Sequence, residues 1–137
     1  MELKELMRVA VTGEMEDITS FEAEAELFGA DPRCGAKLSA FFLAAAEEKR
    51  GRLQELHRIT KGGVGFRQRR NETARSVEAA LRAHAARAER AAVVYTELAG
   101  ALLKPEFREA AVEMALAEKR LLSGLRELQA ALKTPGK

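Results

Sequence analysis

A chain of 137 residues, 47% of them hydrophobic, is long enough to bury a core and short enough to form one fold unit over 1–137. A formal charge of +2, with both signs interleaved, calls for no anionic partner, so nucleic acid is not expected. The single cysteine, Cys34, excludes an internal disulfide, and no window holds the roughly 18 to 20 uninterrupted apolar residues of a membrane span.

The start, Met1-Glu2-Leu3-Lys4-Glu5, has no apolar signal stretch, so a soluble cytoplasmic protein is expected. Ala, Leu, Glu, Lys and Arg dominate and Trp is absent, a composition that favours helices over sheets. A first helix is expected from near Glu2 to Phe28, stopped by Gly29-Ala30-Asp31-Pro32, with Gly13 as a mild flaw inside it. Its seam, Met7, Val11, Glu14, Ile18, Phe21, Ala25 and Phe28, alternates steps of four and three.

A second helix is expected from near Pro32 through Leu38, Phe41, Ala45, Glu48, Leu53, Leu56 and Ile59, interrupted at Gly51. From about Thr60 to Thr73 the glycines of Lys61-Gly62-Gly63-Val64-Gly65-Phe66-Arg67 break the helical periodicity. Extended, that stretch reaches roughly 45 Å, enough to cross the length of a long helix. It matches neither a phosphate-binding loop nor an aromatic-interleaved nucleic-acid patch. Asn71 or Thr73 is the expected cap of a third helix with the seam Val77, Leu81, His84, Ala88, Ala91, Tyr95, Leu98 and Leu102. Lys104-Pro105 ends it and starts a fourth, which fades at Thr134-Pro135-Gly136 after the seam Phe107, Ala111, Met114, Glu118, Leu121, Leu125, Leu128 and Leu132.

These elements predict an all-α four-helix bundle of two helical hairpins joined by a long crossover. An internal repeat supports it: Ala46-Glu47-Glu48-Lys49-Arg50 returns as Ala117-Glu118-Lys119-Arg120, and each preceding helix carries an aromatic, Phe21 or Tyr95. Three seam positions hold carboxylates: Glu14, Glu48 and Glu118. In a helix seam each costs several kcal/mol unless paired, protonated or metal-bound. Glu14 and Glu48 lie about 17 residues either side of the turn near Asp31, hence at similar heights. Beyond the second turn Glu118 matches Ala88, and His84 stands one helical turn from that layer.

A glutamate seven residues before an aromatic in helix one, a Glu-Lys-Arg signature late in each hairpin and a long crossover resemble the plan of ferritin-like di-iron proteins, and the local phrases resemble the rubrerythrin branch. The resemblance implies iron or peroxide redox chemistry and six ligands for two irons, of which Glu14, Glu48 and Glu118 match three. Gly51 and Leu121 stand where the two histidines belong, and Ala88 where the remaining glutamate belongs. A single cysteine leaves no rubredoxin-like relay, so redox activity would require an external electron donor. The family relation also implies a homodimer.

Two functional expectations follow. One is a residual site of hard oxygen ligands, Glu14, Glu48 and Glu118 with His84 as an extra donor, that holds one divalent ion, iron or manganese, weakly, in a rubrerythrin-like di-iron oxidoreductase relative whose ligand set is incomplete. The other is a non-catalytic interaction or scaffold module whose polar core is neutralised by proton uptake or by arginine, since Arg52 falls four residues after Glu48. His84 alone reads as a hydrogen-bonded core histidine, His57 as exposed, and Tyr95 as a core aromatic with its hydroxyl tied down.

Overall fold

The computed structural model describes residues 1–61 and 73–133, and among them the architecture is all-helical. Four helices follow in order: α1 (Leu3–Phe28), α2 (Gly35–Thr60), α3 (Val77–Ala101) and α4 (Pro105–Lys133). None is long and apolar enough to cross a membrane. The helices pack mainly as two hairpins, α1 on α2 and α3 on α4, and α1 also lies against α3.

The first turn is longer than expected, because α2 starts at Gly35 rather than near Pro32. Asp31 organises it, accepting the Arg33 backbone N–H at 2.8 Å through its side chain and the Gly35 N–H at 2.7 Å through its carbonyl. A Cβ on Gly35 would stand 2.3 Å from the Gly29 carbonyl oxygen, so the two chain segments meet this closely only because residue 35 has no side chain. Ser76, not Thr73, caps α3, its hydroxyl accepting the Ala79 N–H at 3.0 Å; Asn71 lies outside the described residues. The second turn follows expectation, with α3 ending at Ala101 and α4 opening on Pro105.

Helix directions follow from contacts at the ends. Arg33, at the start of α2, pairs with Glu78, at the start of α3, at 2.7 Å. Arg58, near the end of α2, lies over the ring of Phe107, near the start of α4. Hence α2 and α3 begin at the same end of the bundle, and α2 ends where α4 begins. The segment expected to cross over, 62–72, lies outside the described residues.

The core is in two pieces. One cluster, centred on Phe21, Leu38, Phe42, Leu81 and Leu125, fills the end where α2 and α3 begin. The other, with Leu6, Val11, Leu56, Leu98 and Met114, fills the opposite end. Between them the buried positions are polar: Glu14 and Asp17 from α1, Lys49 and Arg52 from α2, and Glu118 from α4.

Candidate functional site: a charged layer inside the bundle

Two of the three expected glutamates meet in this layer and the third does not. Glu14 and Glu118 are buried, whereas the Glu48 side chain is 61% exposed and touches the layer only through Arg52, at 3.2 Å. The inward residue of α2 is its neighbour, Lys49, 1% exposed. Counting back from Ile59 and Leu56 by threes and fours gives Arg52, Lys49, Ala45, Phe42 and Leu38, all buried. A seam drawn through Phe41 and Glu48 is one residue out of step. Anchoring the alternation at both ends of the helix was the signal that identifies Lys49.

Lys49 draws the acids together. Its Nζ lies 2.7 Å from Glu118 Oε1, 3.0 Å from Asp17 Oδ2 and 3.3 Å from Glu14 Oε1. Burial works against its charge, but Glu14, Asp17 and Glu118 outweigh burial and hold the ammonium above the usual lysine range. Arg52 completes the neutralisation, reaching Glu14 at 3.2 Å and Glu118 at 3.3 Å. Burial opposes its charge too, and Glu14 and Glu118 reverse the effect, so its pKa is raised. The arginine named from sequence as a neutralising partner therefore does that work, joined by a lysine that was not.

Helix α3 contributes Tyr95 at this level, not Ala88. The Tyr95 hydroxyl donates to Glu14 Oε1 at 2.5 Å, and burial followed by the charge of Glu14 pushes its pKa well up. Ala88 is buried in the apolar cluster toward the α2 start. Glu118 keeps an imbalance: Oε2 is buried with no hydrogen-bond partner among the described residues, while Oε1 takes both cations. Burial raises its pKa, Lys49 pulls it down and Glu14 pushes it back, leaving it at about 7.

His84 is buried but belongs to a different neighbourhood, ten residues along α1 from Glu14. Its ring stacks on Phe21 at 3.8 Å, and Nε2 contacts Glu24 Oε1 at 2.5 Å. Arg87 stands 2.9 Å from Nδ1, and because a guanidinium only donates, Nδ1 must be the acceptor and Nε2 the N–H that donates to Glu24. Desolvation lowers the His84 pKa, in keeping with a neutral ring. Arg87 also holds Asp17 at 2.9 Å, so polar contacts run unbroken from Glu24 through His84, Arg87 and Asp17 to Lys49. Asp17 and Glu24, both buried, were hidden in sequence because α1 faces two helices and buries a stripe wider than one seam.

These residues do not fit a two-iron centre. The space between the acidic oxygens holds an ammonium, the only imidazole nearby is committed to Glu24, and Gly51 and Leu121 carry no donor atom. Among the described residues no group of three His, Cys, Asp or Glu side chains is arranged to hold a metal ion. His57 is exposed on α2. No family model matches the chain, and neither curated proteins nor solved structures yield a match.

Proposed function

We propose that the chain is a ferritin-like bundle in which a built-in lysine stands in for the metal, and that it acts as a non-catalytic binding or scaffold module rather than as a di-iron oxidoreductase. The observation that carries this reading is the Lys49 ammonium, buried and within 3.3 Å of oxygens from Glu14, Asp17 and Glu118. A divalent ion entering the layer would have to expel a paired, buried cation or sit beside it, and either costs more than carboxylate ligands return. The common starting end of α2 and α3 supports the ferritin-type connection between the hairpins.

Metal analysis and thermal shift test the reading. Protein purified without chelator carries well under one iron or manganese per chain, and added Mn²⁺ leaves its melting temperature unchanged. Lys49→Ala, which removes the one cation that all three acids share, is stabilised by Mn²⁺. Near-stoichiometric metal in the unmodified protein, lost on Glu118→Ala, would overturn the proposal and favour the residual-site reading.

A further inference from the structure

α1 packs more closely on α2 than on α3, and an open groove of about 940 Å³ runs between α1 and α3 on the outer side of the charged layer. Its floor includes Tyr95, and its flanks include Val9 and Val94. Gly13 lines it, and a Cβ built there meets no atom of the described residues within 4 Å, so the missing side chain widens the channel. Three acids line it: Glu14 and Asp17 are already bound to Lys49, Arg52 and Arg87, and the half-buried Glu16 is partnered as well. Two arginines on the groove, Arg8 and Arg90, are exposed, and neither guanidinium has an ion pair or hydrogen bond among the described residues.

We infer that this groove is a binding site for a free anionic amphiphile, a linear apolar body ending in a single carboxylate. The apolar flanks and the widened channel suit the body, and Arg8 and Arg90, which stand toward opposite ends of the groove, offer at either end a charge that the single carboxylate head complements. From Arg8 to Asp17 the groove follows α1 for about 14 Å, which favours an extended chain over a compact ring. The volume falls within the roughly 300–1,000 Å³ of small-molecule sites, which favours such a ligand over a partner helix. The inference goes beyond the metal-free reading and is independent of it, since metal content and ligand binding are separate readouts.

Dodecanoate, kept below its micelle concentration, is the probe. Tyr95 is the only tyrosine and the chain has no tryptophan, so tyrosine fluorescence reports on the groove itself, with calorimetry giving the stoichiometry. Saturable binding of one dodecanoate per chain is expected. Gly13→Leu fills the channel and weakens binding at least tenfold without lowering the melting temperature, because leucine favours helix over glycine. The double variant Arg8→Gln, Arg90→Gln weakens dodecanoate at least tenfold and leaves dodecanol binding unchanged. The inference is overturned by unsaturable binding, by equal affinity in Gly13→Leu, by equal affinity for dodecyltrimethylammonium, or by an acidic helical peptide binding where dodecanoate does not.

Discussion

The sequence Glu-Lys-Arg occurs at 48–50 and again at 118–120, and the bundle uses the two copies in opposite ways. In α2 the glutamate faces out and Lys49 faces in; in α4 Glu118 is 0% exposed and Lys119 faces out. A shift of one residue turns a helix by about 100°. What sets the rotation is the apolar frame on either side: Leu38, Phe42, Leu56 and Ile59 in α2, Met114, Leu125 and Leu128 in α4. The consequence is electrostatic. Used alike, the two copies would bury two acids or two cations; used one residue apart, they bury one of each, 2.7 Å apart.

The sharpest way to break this contrast is to truncate the two lysines in turn. Lys49→Ala leaves Glu14, Asp17 and Glu118 facing one another without their central cation, and removing one partner of a buried pair costs about 3–5 kcal/mol. Lys119→Ala, on the exposed side of the other copy, is expected to change stability by less than about 0.5 kcal/mol. Urea unfolding of both variants measures the difference. Equal effects would mean that the two copies are used alike.

The glutamates should show the reverse order, with a pH signature. Glu118 faces Glu14 from α1 and Lys49 and Arg52 from α2, with Asp17 beyond Lys49 and Tyr95, from α3, beyond Glu14. Its pKa of about 7 lies above the ordinary 4.5, so between those values the folded chain holds a proton that the unfolded chain has released. Its contribution is complete below about 4.5 and is lost as pH rises toward 7. Glu118→Gln, a permanent mimic of the protonated acid, should therefore gain on the unmodified protein as pH rises from 5 to 8, by up to about 3 kcal/mol. Glu48→Gln should show no such trend. Stability curves of the three proteins across that range decide the matter.

The four helices were readable in sequence because long stretches alternate threes and fours and turns carry Gly, Asp and Pro. Glu14, Glu118 and the neutralising Arg52 were readable for the same reason. Lys49 was not, because the phrase around it holds glutamate and lysine side by side, and only the far apolar frame decides which one turns inward. His84 was correctly read as buried and hydrogen-bonded, but its height was not: it meets Glu24, and Tyr95 rather than Ala88 is the α3 residue that reaches the charged layer, at Glu14. Relative sliding of two helices is a packing property that neither helix encodes alone.

Tyr95 tests how far the layer depends on neutral donors as well as cations. Tyr95→Phe keeps the ring in its apolar setting and removes only the hydroxyl that donates to Glu14. Glu14 retains Lys49 and Arg52, so the expected loss is that of one hydrogen bond to a charged group, about 1.5–3 kcal/mol and nearer the lower figure. Combining it with Lys49→Ala in a double-mutant cycle sharpens the comparison, since two substitutions sharing one acid should not add. Additivity would mean that Glu14 holds the two partners independently.

The smallest effects concern the glycines that follow each copy of the phrase. Gly51 is exposed, and a Cβ there meets nothing within 4 Å, so Gly51→Ala should gain the helix propensity difference, about 1 kcal/mol. Gly124 lies against the Phe41 ring, and a Cβ there would stand 2.5 and 2.6 Å from ring carbons. Gly124→Ala should lose about 1 kcal/mol, because the same propensity gain is outweighed by displacing a half-buried ring between α2 and α4. One substitution, two signs, read by thermal unfolding: a gain at both sites would mean that Phe41 swings aside freely, and that the contact between α2 and α4 near the first turn does little to set the rotation of either helix.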